Sequence, residues 1–144
     1  HADVQARVHL SRVAVALNPD PAGGQLESLK AGLRLLPAGE DFLFQPVDFV
    51  LVRPLEVRRL LHAFTDAAVS VCVPSHARRR GHPVLCRRAM ADELLALPAG
   101  ASAREALFAR PERVLHVEEP SQRVVMDMDT PADYARCLEV FRAS

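Results

Sequence analysis

Apolar and polar positions along the chain follow two alternating rhythms. Solid apolar runs recur at residues 12–17 (RVAVAL), 42–47 (FLFQPV), 68–73 (AVSVCV), 113–117 (RVLHV) and 124–128 (VVMDM), and most stop at a breaker or a polar cluster. Runs this short and this continuous predict strands covered on both faces. Between them the apolar positions move to helical spacing. Leu26, Leu29, Leu33 and Leu36 line one face of residues 25–36, and Pro37-Ala38-Gly39 stops that helix. Arg53-Pro54 opens a second helix with proline in its first turn, striped by Leu55, Leu60, Leu61 and Phe64.

Downstream, residues 75–81 (SHARRRG) predict an exposed polar loop, residues 82–86 a short strand and residues 87–97 a helix ended by Pro98-Ala99-Gly100. Ser102 and Glu105 have capping-box spacing, which predicts a short helix to about residue 110. Thr130-Pro131-Ala132-Asp133 is a further helix start, and that helix runs to about residue 141. Strands alternating with helices imply an α/β domain with a mainly parallel sheet covered on both faces, a Rossmann-like three-layer α/β/α arrangement. No repeat or linker divides the chain, so a single domain over residues 1–144 is expected. In such folds ligands bind beyond the C-terminal ends of the strands, which directs attention to polar residues there.

Composition narrows the function classes. The 144 residues carry 18 basic and 18 acidic side chains, so charge gives no case for nucleic acid or membrane as a partner. No apolar run approaches membrane-spanning length, and residues 1–9 (HADVQARVH) do not resemble a signal peptide. Lys30 is the only lysine among the basic residues. Cys72, Cys86 and Cys137 are odd in number and match no metal-binding spacing. Cys72 and Cys137 are expected to be small buried hydrophobes, and a reducing, cytoplasmic setting is the natural reading.

Several polar residues at strand ends could carry chemistry. Asp48 follows the second apolar run, where a carboxylate would hold Mg²⁺ or, more plainly, cap the next helix. Asp127 and Asp129 flank Met128, and alternation along a strand would turn both to one side, as a metal pair or with one helping Thr130 cap the last helix. The D-x-D-x-T phosphatase pattern is rejected: it requires one more residue before the Thr and belongs on a first strand. Arg78-Arg79-Arg80-Gly81-His82-Pro83 joins guanidinium groups and an imidazole in one segment, suited to an anion or simply to solvent. His76, His82 and Cys86 lack a fourth ligand for zinc. Gly23-Gly24 and Ser28 lead from a loop into a helix start whose free amides could face a phosphate.

In order and spacing, these pieces resemble the MobA/MocA-like nucleotidyltransferases of molybdenum cofactor maturation. The segments that carry the resemblance are NPDPAGGQLESLKAGL (18–33), FQPVDFVLVRPLEVRRLL (44–61), VCVPSHARRRGHPVLCRR (71–88) and VVMDMDTPADYARC (124–137). RGHPVL and the DxDTPxDY-like stretch weigh most, and the former leans towards the cytidylyltransferase branch. The resemblance implies a nucleotide-diphospho-sugar transferase-like domain that binds an NTP (CTP or GTP) with Mg²⁺. It would move the NMP to molybdopterin or a related phosphorylated acceptor and release pyrophosphate. By the same resemblance Asp48 is the magnesium-binding aspartate, and Asp127 or Asp129 fills the second acidic position. His82 with Gly81 lines the acceptor side, Gly24 and Ser28 line the nucleotide side, and Arg80 faces phosphate. A molybdoenzyme is an implied partner.

Two departures from the family pattern bear on activity. The glycine-rich loop L-A-A-G-x-S-x-R-M-G and the lysine after it are absent, so the N-terminal strand and helix are expected to be missing, with Lys30 in the wrong segment to substitute. Exposed edges and self-association would follow. The second departure is Asp48-Phe49-Val50, where the family usually has a proline shortly after the aspartate. A non-catalytic relative that binds a cofactor precursor or a partner protein in molybdoenzyme maturation is the alternative reading. A sugar-nucleotide glycosyltransferase ranks last, because its DxD would be expected where Asp48 stands alone.

Overall fold

The computed structural model describes residues 13–143. In chain order they form α1 (Gln25–Leu33), β1 (Phe42–Phe44), α2 (Pro54–Ala63), β2 (Val71–His76), β3 (Arg79–Arg80), β4 (Val84–Cys86), α3 (Arg88–Ala96), α4 (Ala103–Phe108), β5 (Val114–Glu118) and α5 (Pro131–Arg142). Three short 3₁₀ turns complete them, at Pro21–Gly23, Pro111–Arg113 and Gln122–Val125.

The apolar run leading into β2 makes that strand the axis of the sheet, with its first five residues buried. It pairs in parallel with β5, from Val71↔Val114 to Ser75↔Glu118, and antiparallel with β4 and β3, while β1 pairs antiparallel with β4. The two faces have separate cores. Val71, Val73, Val84 and Cys86 face Leu33, Met90, Leu94 and Leu107, which come from α1, α3 and α4. Cys72 and Leu85 face Leu60 and Phe64 on the α2 side. The expected α/β/α layering is therefore present, and no helix among the described residues is long and apolar enough to cross a membrane.

The sheet itself is mixed: β2–β5 is the one parallel pairing among the described residues. The reason is the segment read as a polar loop. Ala77 and Arg78, both at positive φ (50° and 64°), turn the chain in two residues, and so short a connection returns a strand antiparallel. Hairpin turns of this kind usually announce themselves with Asn-Gly or Asp-Gly, so Ala-Arg gave no warning.

Two expected strands do not form. Residues 13–17 are not in a strand, and Val13, Val15 and Leu17 are exposed, with no described neighbour to build a ladder; Arg12 lies outside the described residues. Residues 124–128 are replaced by the Gln122–Val125 turn, which starts where the Ser121 hydroxyl accepts from the Arg123 amide. Val124 and Val125 are still buried but not in a ladder: Val124 lies against Gly81 and Val125 on the cavity wall. At Ser102 the side chain caps the Glu105 amide as expected. At Thr130 a full capping box forms with Asp133.

Two cations tie elements together. Lys30 is buried and ties α1 to the end of α3 through Glu27 and the Leu97 carbonyl (2.7 Å). Arg87 lies over the Phe64 ring at 3.8 Å and pairs with Asp41.

Candidate active site

A register change builds the site. From Arg80 to Leu85 the chain takes five steps while its partner takes three, from Ser75 to Cys72. The surplus residues, around Gly81-His82 and the cis His82–Pro83 bond, bulge out of the ladder. The bulge is pinned on both sides. Gly81 N–H donates to the Pro74 carbonyl and His82 N–H to the Val124 carbonyl, both at 2.8 Å. Gly81 is required by contact: a Cβ there would lie 2.0 Å from the Val124 oxygen.

The bulge throws the His82 ring against Phe49 (centroids 4.4 Å apart) and Phe44 (5.7 Å). These rings form one wall of a cavity of about 530 Å³ beyond the C-terminal ends of β1 and β2. Gln25 and Ser28 of α1 form a second wall, Arg79 and Arg80 with Arg104 and Phe108 of α4 a third, and Asp127 closes the rim. Ser28 is held by a hydrogen bond from the Asn18 side chain (3.0 Å).

Three buried side-chain atoms lack a hydrogen-bond partner among the described residues: Asp48 Oδ1, His82 Nδ1 and Glu119 Oε1. Glu119 lies outside the cavity wall and is paired with Arg59 at 2.5 Å. Of the other two, His82 feels the charge of Asp48. Burial lowers the His82 pKa below its ordinary value, and Asp48 pulls it back up less strongly. His82 is therefore neutral at pH 7. A buried carboxylate oxygen in the wall loop and a buried imidazole nitrogen on the cavity wall, both without partners among the described residues, are groups held ready for a ligand.

Of the residues singled out from sequence, Ser28, Arg80, Gly81, His82 and Asp127 line this cavity, and Asp48 sits between the wall residues Pro46 and Phe49. Asp48 does not cap the next helix; the amide of Arg53 there is met by Glu56 (2.9 Å). Gly24, at φ 80°, makes the turn into α1 but is not part of the wall, which begins one residue later at Gln25. Asp127 and Asp129 do not share a side: without a strand there is no alternation, Asp127 reaches the cavity and Asp129 is exposed outside it. Neither acid caps α5, which is capped by Thr130 and Asp133. Among the described residues no three His, Cys, Asp or Glu side chains gather as a metal cluster. His76, His82 and Cys86 form no zinc site, and Cys86 is packed in the core. All three cysteines are buried and free, and burial pushes the Cys72 thiol up to about 11. Sequence reasoning missed Phe44, Phe49, Phe108 and Arg104, whose roles depend on facing partners far along the chain.

Solved structures share this fold. The chain superposes on the Rv0371c homolog from Mycobacterium sp. strain JC1 with a TM-score of 0.76 at 20% identity, covering 99% of this chain and 72% of that one. It matches Rv0371c from Mycobacterium tuberculosis H37Rv at 25% identity and a TM-score of 0.74, over 96% of this chain and 70% of that one. The structure of Rv0371c in complex with manganese gives 26% identity and a TM-score of 0.70, over 96% and 72%. No curated protein matches the chain. Residues 1–114 match the family description "MobA-like NTP transferase domain". That match spans most of the chain and agrees with the layered sheet and strand-end cavity: the chain belongs to the MobA-like NTP transferase family.

Proposed function

We propose that this chain is a Mg²⁺-dependent nucleotidyltransferase that moves an NMP from CTP or GTP to a phosphorylated acceptor of the molybdopterin kind, releasing pyrophosphate. The observation that carries the reading is the buried Asp48 Oδ1, without a partner among the described residues, whose charge acts on His82, where Nδ1 is likewise buried and without one. Asp48 and Asp127 fit a hard divalent cation, which prefers carboxylate oxygens and completes its shell with water and phosphate. When bound, that ion would supply charge neutralisation at the reacting phosphate. The manganese complex of Rv0371c supports a divalent ion in this fold.

The residues of the chain then have separable tasks. The Phe44 and Phe49 rings fix the His82 imidazole and exclude water from one side of it. Neutral His82 offers a hydrogen bond to a phosphate oxygen without adding a charge. Ser28 and Gln25 border the nucleotide side, and Gly81 lets the bulge approach the Val124 backbone closely enough to aim His82. An acceptor phosphate oxygen attacks the α-phosphorus of the NTP, the bond to the bridging oxygen breaks, and pyrophosphate leaves with that electron pair. Such a displacement asks for positioning and electrostatics more than for covalent catalysis. A reducing, cytoplasmic setting belongs to this reading and is supported by the three free thiols.

The test is thermal unfolding of the chain with CTP, GTP or ATP, with and without Mg²⁺, beside Asp48→Ala. A ligand at a hundred times its Kd should add about 2.7 kcal/mol of stability. A Mg²⁺-dependent shift with one nucleotide, absent in Asp48→Ala, is expected. No shift with any nucleotide would favour a relative that binds a precursor or partner without catalysis.

A further inference from the structure

Five arginines are held in ion pairs, and four others without one are gathered in a single place. Arg59, Arg87, Arg88, Arg110 and Arg136 each meet a carboxylate. Arg78, Arg79, Arg80 and Arg104 have no carboxylate within ion-pair distance among the described residues, yet with His116 they line one shallow concavity on the flank of the hairpin. Glu118, two positions beyond His116 on β5, is already engaged: its oxygens accept from the Ser75 hydroxyl (2.8 Å) and the Ala77 amide (2.9 Å).

Four uncompensated guanidinium groups in one hollow repel one another, and a bound anion removes that cost. The arrangement is held in place. Arg80 lies over the Phe108 ring, 4.2 Å from its centroid, and Arg104 is one helical turn away on α4. The hairpin register sets Arg79 opposite His76, and the two-residue turn fixes Arg78 at its tip. Arg79, Arg80 and Arg104 also belong to the wall of the candidate-site cavity, so the concavity opens beside it.

We infer that the Arg78–Arg79–Arg104–His116 concavity is a phosphate-binding subsite. It takes a dianionic phosphate group whose parent molecule occupies the adjoining cavity, and guanidinium forks suit that geometry. Its role in catalysis rests on the nucleotidyl-transfer reading; its affinity for the anion does not. Two sources present the same chemistry, the phosphomonoester of the acceptor and the pyrophosphate end of the nucleotide.

Calorimetric titration with inorganic pyrophosphate, in EDTA at moderate salt, tests the site. One saturable site is expected in the unaltered chain. An R79Q/R104Q double variant should bind about tenfold or more weakly, as for loss of charge-assisted hydrogen bonds. An R58Q/R142Q double variant, which removes the same charge from exposed positions elsewhere, should bind as the unaltered chain does. Thermal unfolding of each variant verifies folding. Absence of saturable binding, or equal weakening in both double variants, would overturn the subsite. D48N should retain pyrophosphate binding; loss there would place the anion at the Asp48 site and also overturn it. If D48N loses Mg²⁺-dependent nucleotide binding and keeps pyrophosphate binding, both readings stand. If the unaltered chain binds pyrophosphate and no nucleotide, the subsite stands and the transferase reading fails. Repeating the titration with Mg²⁺ and a non-hydrolysable NTP separates the sources: displacement assigns the concavity to the nucleotide, and unchanged binding assigns it to the acceptor.

Discussion

Asp48 and the Asp127–Asp129 pair occupy similar places in the sequence, each just beyond an apolar run, and reach opposite surroundings. Asp48 is carried off a true strand, β1, into the loop that follows, where its Oδ1 is buried without a partner among the described residues and its charge acts on His82. Asp127 and Asp129 follow a 3₁₀ turn and both remain solvated, with one at the cavity rim. A strand end confers chemistry only when the neighbouring segments enclose it. For the Asp48 loop the facing element is the His82 bulge, packed on Phe49, which exists because of a register change further along the chain.

The comparison can be broken most severely at Gly81. Gly81→Ala drives a methyl into the Val124 carbonyl that receives the His82 amide, so overpacking should cost about 1–3 kcal/mol. It should displace the Val124–Asp127 side of the cavity together with the His82 ring that packs on Phe49. Urea unfolding gives the stability, and a change below about 0.5 kcal/mol would mean that the close approach is not a constraint.

A sharper cut separates the two exposed acids. Asp127→Asn should weaken Mg²⁺-dependent nucleotide binding about tenfold, as for a group that tunes a metal site. Asp129→Asn should leave it within about twofold, the range of an ordinary surface substitution. Equal effects in calorimetry would restore the view of the pair as one unit.

The smallest effect concerns the buried side of the comparison. The His82 pKa is lower in the folded than in the unfolded chain, so the unfolded chain binds more protons between the two values. Stability is then highest above the unfolded value of about 6.5 and falls as the pH drops through it towards the folded pKa. Glu118 and Asp133, whose pKa values are lowered by their hydrogen bonds, lose stability only as the pH falls below the ordinary carboxylate range, so they do not obscure this window. Urea midpoints at pH 7 and 5.5 should differ in the unaltered chain and converge in His82→Gln. A slope that survives the substitution would assign the effect elsewhere.

Much of this was legible in residue order. Every predicted helix formed, and the caps at Ser102 and Thr130 were readable because capping is decided within four residues. The solid apolar runs marked β1, β2 and β5, although β2 begins three residues later than the run suggested and extends to His76. Asp48, His82 and Gly81 were legible as candidates. What was not legible was the company they keep: the hairpin hidden in a polar loop, the aromatic clamp on His82, and the split between Asp127 and Asp129.

The sequence by itself determined which segments coil into helices, which are apolar enough to enter the sheet, and which polar residues are available at their ends. Those properties depend on neighbours a few positions away. Tertiary structure alone decided strand direction, the bulge at His82 and the uncompensated arginine hollow. Each depends on register between distant segments, where a shift of one or two residues redirects a side chain and where burial sets the energy of a charge.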